Sequence, residues 1–274
     1  MDFKKQAIER LSSVTDNPVL EVDLLLSHVL QQSRSYLYRS PQILTEEQKK
    51  YFDVLIERRL LREPIAYLIG HKECWSLPFI VTRDTLVPRP ETECLIEYIL
   101  MHYDFSPLKL ADLGTGCGTI GLSIAHERPS WKIVLTDQSE QALQVAKENA
   151  KRFHLDHVVF AEGNWCDALE DHDFDIIVSN PPYIALTEWP MYEAALLFEP
   201  REALVSGEDG LQAIREIIRT AKKYLKSSGL LLIEHGFNQG ELVRELLMKA
   251  GYQAVNTMRD LGGHERATTG SLKK

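Results

Sequence analysis

The sequence predicts an α/β protein, with a doubly wound parallel sheet preceded by a small helical bundle. Three observations carry that expectation. Helical spacing with recognisable capping signals runs as far as Arg62. From Leu108 onward, short apolar runs alternate with amphipathic segments. A glycine-rich turn, Gly114-Thr115-Gly116-Cys117-Gly118, joins the first apolar run to the segment after it. A chain of 274 residues exceeds one ordinary core. We therefore expect a helical domain over residues 1–73, a hairpin linker over 74–92 and an α/β domain over 93–274.

The first helix is expected over Asp2 to Val14 and the second over Asn17 to Gln31, with Asn17 as N-cap and Pro18 at the first helical position. A third spans about Thr45 to Arg62, because Thr45 and Gln48 stand at capping-box spacing. Its residues Tyr51, Phe52, Leu55, Ile56 and Leu60 recur at three- and four-residue intervals and should face inward. Pro64 breaks the pattern, and Ile65 to Gly70 leads into Trp75 to Val81, read as a hairpin around Pro78.

Strand Leu108 to Leu113, helix Thr119 to Arg128 and strand Trp131 to Asp137 form a βαβ unit of Rossmann-like type. Further strands are expected at Val158–Glu162, Phe174–Ser179, Gly229–Glu234 and Tyr252–Met258. The helices between them are Ser139–Phe153, Leu211–Lys226 and Gln239–Ala250. The polar tail Gly270 to Lys274 should fray.

Hydrophobic content of 44% and charged content of 26% fit a soluble globular protein. No stretch approaches the roughly 20 uncharged apolar residues of a membrane span. The most apolar early run, Val22 to Leu30, is interrupted by Asp23, Ser27 and His28. No export signal is visible, and Asp2 and Glu9 argue against a transit peptide, so a cytoplasmic monomer with no membrane partner is expected. A net charge of −9 without a Lys/Arg-rich run weighs against tracking a nucleic-acid backbone. Cys74, Cys94, Cys117 and Cys166 form no Cys-x-x-Cys pair, and His154 and His157 have no acid or thiol at ligand spacing, so no metal is expected.

The glycine-rich turn lies where a strand enters a helix, the place where an open α/β sheet binds ligands. Glycines let backbone approach a ligand closely, and the helix start offers unpaired amides. Asp137 closes the next strand about twenty residues later, where a carboxylate can accept ribose hydroxyls. A nucleoside is implied. Gly116, Gly118 and Gly121 also satisfy the dinucleotide pattern, so S-adenosylmethionine and a nicotinamide cofactor both remain open at this point.

Strand Phe174–Ser179 runs directly into Asn180-Pro181-Pro182-Tyr183, which S-adenosylmethionine fits better. The two prolines stiffen the turn and free carbonyls for a ligand. Asn180 supplies an acceptor and a donor, and Tyr183 a flat face for stacking. Together they describe a clamp for a planar NH2 group, whose delocalised lone pair makes it a poor nucleophile that must be positioned. A sulfonium methyl donor suits that task, so S-adenosylmethionine is the expected cofactor.

These motifs occur together with Pro64-Ile65-Ala66-Tyr67, Pro88-Arg89-Pro90-Glu91-Thr92-Glu93, Phe198-Glu199-Pro200-Arg201-Glu202-Ala203-Leu204 and Arg259-Asp260-Leu261-Gly262-Gly263-His264-Glu265-Arg266. In this combination the sequence closely resembles the bacterial peptide chain release factor glutamine methyltransferases (the PrmC/HemK family) over essentially its whole length. The resemblance implies a seven-stranded class I methyltransferase domain that methylates the glutamine amide of the Gly-Gly-Gln motif in class I release factors. It further implies that Gly114, Thr115, Gly116, Cys117 and Gly118 line the cofactor, that Asp137 holds its ribose and that Trp165 lies near the adenine. Asn180 would touch both ligands, and the N-terminal helices would grip the release factor. The Asn-Pro-Pro-Tyr loop also occurs in DNA and RNA amino-methyltransferases. That alternative needs a basic groove, which the charge pattern does not provide.

Overall fold

The computed structural model describes residues 3–39 and 43–273. The chain divides into two units, one ending at His71 and the other beginning at Lys72. Among the described residues no helix is long and apolar enough to cross a membrane.

The first unit is helical: α1 (Phe3–Leu11), α2 (Pro18–Leu30), α3 (Arg34–Leu37), α4 (Glu46–Leu60) and α5 (Ile65–Ile69). Asp2, expected to open the first helix, lies outside the described residues. Asn17 stands at the N-cap of α2 without a side-chain capping bond, so Pro18 with its preset φ marks the start. The capping box of α4 is complete, with Thr45 accepting from the Gln48 amide and Gln48 from the Thr45 amide. Leu25, Leu26, Phe52, Leu55 and Ile56 form the core of this unit. Tyr51 is the exception to the expected inward stripe. It is 45% exposed, and its hydroxyl bonds His28 Nε2 at 3.1 Å. Adjacent residues on a helix point about 100° apart, so Tyr51 cannot share the direction of Phe52. Pro64, read as a break, is the N-cap of α5.

The second unit opens with a hairpin, β1 (His71–Cys74) and β2 (Leu77–Ile80), turned by Trp75 and Ser76 at φ 48° and 59°. Two positive φ values in succession match the twist of the flanking strands. The rest follows as α6 (Glu93–His102), β3 (Lys109–Leu113), α7 (Thr119–Glu127), β4 (Lys132–Asp137), α8 (Glu140–Arg152), β5 (Val159–Glu162) and β6 (Phe174–Ser179). It ends with α9 (Trp189–Leu196), α10 (Gln212–Ala221), β7 (Leu225–Glu234), α11 (Gly240–Lys249), β8 (Gln253–Arg259) and β9 (Glu265–Ser271).

The hairpin is packed onto this unit rather than suspended between two. Buried Asn149 of α8 accepts from the Ile80 amide at 2.7 Å and donates to the Ile80 carbonyl at 3.0 Å and the Cys117 carbonyl at 2.9 Å. Fully buried Phe79 meets Phe153 edge to face, with ring centroids 5.0 Å apart. One asparagine thus ties the hairpin to the glycine-rich turn.

The sheet has the order β5-β4-β3-β6-β7-β9-β8. Its strands from β5 to β7 are parallel, while β9 runs antiparallel to both β7 and β8. The expected doubly wound parallel sheet is thus present, with β9 as its antiparallel strand. The expected fraying tail is corrected, since Gly270 and Ser271 belong to β9; Lys274 lies outside the described residues. β9 is polar yet buried because its side chains are satisfied there. Thr268 bonds His235 Nε2 and Thr257 Oγ1, both at 2.8 Å.

Candidate active site

The glycine-rich turn leaves the C-terminal end of β3 and is organised by two carboxylates. Asp112, fully buried, accepts from the Thr115 hydroxyl at 2.6 Å and the Gly121 amide at 2.9 Å. Burial pushes its carboxyl up to about 6, against the pull of those donors. Asp137 at the end of β4 accepts from the Gly116 amide on one oxygen and the Ser139 amide on the other, both at 2.9 Å. Each oxygen keeps a second lone pair for a ligand. Burial raises this carboxyl as well.

Gly116 adopts φ +57°, and a Cβ there would meet nothing within 4 Å. The space before it is open cavity. Gly114 faces the Trp165 ring so closely that a Cβ would stand 3.0 Å from it. Trp165 itself starts a 3-10 turn at φ +47°.

Two cavities adjoin at the reactive loop. The first, about 420 Å³, is lined by Gly114, Thr115, Gly116, Cys117, Asp137, Trp165, Asn180 and Pro182, together with Arg89 and Thr92. The second, about 610 Å³, is lined by Asn180, Pro181, Pro182 and Tyr183, with Tyr192, Phe237, Gln239 and Arg266 around them. Asn180 thus lines both. Of the residues expected at the cofactor, Gly118 alone is absent from the first cavity's lining. It is the N-cap of α7, and a Cβ there would meet Leu122 at 2.5 Å. Its role is to let the helix begin. The Tyr183 carbonyl, at the end of the loop, accepts from Gln239 Nε2 at 3.0 Å.

The sequence motifs without an assigned role supply the support for this loop. Glu199 accepts from the Val87 amide at 3.0 Å and pairs with Arg89 at 2.5 Å, joining the Pro88–Glu93 and Phe198–Leu204 segments. Thr92 donates to Glu234 Oε2 at 2.9 Å and accepts from Asn180 Nδ2 at 3.0 Å. Tyr183 turns its hydroxyl toward Glu234 Oε1 at 3.4 Å. Burial drives the Glu234 carboxyl up to about 7, offset by Thr92 and the positive field of Arg266.

Thr92 and Glu234 escaped the sequence reading, although one signal for Glu234 was present. Acidic or amide residues close β3 and β4 near Asp112 and Asp137, follow β6 at Asn180 and close β7 at Glu234. Side chains at the carboxyl ends of parallel strands line the ligand crevice, so Glu234 was a candidate by position. Among the described residues no cluster of three His, Cys, Asp or Glu side chains could hold a metal ion.

A family model described as PrmC N-terminal domain matches residues 3–70, and one described as Methyltransferase small domain matches residues 90–208. The release factor glutamine methyltransferase of Coxiella burnetii is 46% identical over 264 residues, covering 96% of this chain and 95% of its own. That of Shewanella oneidensis is 41% identical over 265 residues, covering 96% and 93%. Among solved structures, a methyltransferase from Pyrococcus furiosus aligns with a TM-score of 0.56 at 18% identity, covering 80% of this chain and 98% of that one. A ribosomal protein L11 methylase from Lactobacillus delbrueckii aligns at 0.52 and 19%, covering 68% and 81%. These structural likenesses speak to the fold alone.

Proposed function

The chain belongs to the release factor glutamine methyltransferase family, and from that premise we propose that it methylates the side-chain amide nitrogen of the glutamine in the Gly-Gly-Gln motif of class I release factors. The observation that carries the reading is the position of Asn180, which lines both cavities and can touch a donor in one and an acceptor in the other.

The first cavity suits S-adenosylmethionine. Its volume lies in the range of small-molecule sites, Gly116 leaves a cradle that a Cβ would fill, and Asp137 retains lone pairs for two ribose hydroxyls. When bound, the cofactor supplies an electrophilic methyl on its sulfonium. The chain's own residues do the rest by placement. Asn180 Oδ1 can accept from the substrate NH2, fixing the nitrogen in line with the methyl. Pro181 and Pro182 keep that acceptor rigid, so little reorganisation accompanies transfer. Tyr183 offers a ring face to the planar amide in the second cavity. The amide nitrogen would take the methyl and give up one of its two hydrogens as a proton to solvent, with S-adenosylhomocysteine as the other product.

The N-terminal helical unit supplies binding energy remote from the reacting atom, which orients the protein substrate. Release factors act in the cytoplasm, which supports a cytoplasmic enzyme. The test is transfer of labelled methyl from S-adenosylmethionine to a purified class I release factor. We expect labelling of the intact factor and none when its Gly-Gly-Gln glutamine is replaced. Equal labelling of both would overturn the assignment.

A further inference from the structure

Thr92 borders the first cavity and Glu234 lines neither, the scheme above gives neither of them a step, and both are buried beside Asn180. Burying a carboxyl is costly, and an apolar pair could fill the same volume. The geometry gives the polar pair a purpose. Thr92 has one hydroxyl hydrogen, and it goes to Glu234 Oε2. The Thr92 oxygen can then only accept, and its donor is Asn180 Nδ2. An asparagine held by its NH2 end presents its oxygen at the other end. Without such a hold the two ends have nearly the same shape and can exchange by rotation about χ2.

We infer that Thr92 and Glu234 are positioning residues: the Glu234 carboxylate, acting through the Thr92 hydroxyl, keeps Asn180 Oδ1 turned toward the substrate amide. The inference rests on the functional reading above. It assigns chemistry to Thr92 in the Pro88–Glu93 segment and to the acid at the end of β7. Protonation of Glu234 releases the hold. A protonated carboxyl can donate to the Thr92 oxygen, which frees the Thr92 hydrogen for Asn180 Oδ1 and turns the amide round. The groups that set this titration are Thr92 and Tyr183 as donors, Arg266 of β9 as a favourable charge and Glu91 as an unfavourable one. Cys94 of α6 also lies in the field of Glu234.

The experiment compares Thr92→Val, Thr92→Ser and Glu234→Gln with the unmodified protein. Thr92→Val should lower kcat by about tenfold to a hundredfold, the loss of one buried hydrogen bond to a charged network. KM for S-adenosylmethionine should change less than about threefold, because the hold acts on the acceptor side. Thr92→Ser should restore most of the loss. In the substrate-free protein, the Asn180 side-chain NH2 signals should be slow to exchange with solvent in the unmodified chain and in Thr92→Ser, and fast in Thr92→Val. The rise of kcat with pH through about 7 should flatten in Glu234→Gln. An undiminished kcat in Thr92→Val, a Ser variant as impaired as the Val variant, or an unchanged pH profile in Glu234→Gln would each overturn the inference. The exchange measurement needs no substrate, so absence of transfer by the unmodified enzyme counts against the functional reading alone.

Discussion

Glu234→Gln should make the protein more stable at mildly alkaline pH while impairing its catalysis. Glu234 is fully buried, and its carboxyl lies at about 7 in the folded chain against an ordinary value of 4.5. Between those two values the folded state keeps a proton that the unfolded state has released. Stability therefore falls as pH rises through this window and stays low above it. A gap of about 2.5 on the pH scale, at about 1.4 kcal/mol each, corresponds to about 3.5 kcal/mol in full. Glutamine can still meet Thr92 and Tyr183 but carries no such penalty. The advantage of the variant should thus grow by about 2–3 kcal/mol between about pH 5 and about pH 8. Urea unfolding followed by tryptophan fluorescence is the assay, because Trp75, Trp131, Trp165 and Trp189 all lie in the second unit. Asp112, also raised by burial, titrates in both proteins and cancels in the difference. A variant whose stability relative to the parent is the same at both pH values would refute the reasoning.

Two further outcomes are expected. Asp137→Ala should weaken binding of S-adenosylmethionine by about tenfold or more, since it removes a charged acceptor and also releases the Gly116 amide; an unchanged affinity by calorimetry would contradict the contact. Glu199→Ala should cost about 2–3 kcal/mol of stability in the same urea assay, because the Val87 amide loses its acceptor and Arg89, one-third exposed, is only partly rescued by water. A loss below about 0.5 kcal/mol would show that the ion pair does not hold the two segments together.

The βαβ unit was legible because its signals are local. The glycines, the strand ending at Asp137 and the cap at Ser139 all act within a few residues of one another. The capping box at Thr45 and Gln48 was legible for the same reason. β9 was not, because Glu265–Ser271 carries a single buried hydrophobic, Ala267, and no alternation. Its burial depends on hydroxyl partners from β8 and from His235, which periodicity cannot reveal. α6 was hidden by the proline-rich segment before it, and the hairpin's place by Asn149, whose partners lie 32 and 69 positions away. At the site, the cofactor side follows sequence order along β3 and β4. The support of Asn180 spans 88 positions to Thr92 and then 142 to Glu234, so only the fold brings it together.

The placement of β9 has a kinetic consequence. Among the described residues β8 has no hydrogen-bonded neighbour other than β9, and β9 separates it from β7. During synthesis β7 and β8 emerge first, and neither can complete its pairing until residues 265–271 follow. Over that interval the chain presents open strand edges, which are templates for pairing with another molecule. Cleavage just before Glu265 would likewise remove two strands' worth of sheet, not one, and strip the Thr268 support from His235, the neighbour of Glu234. Of these seven strands, the one that follows the others in sequence is the one on which the finished edge of the sheet depends.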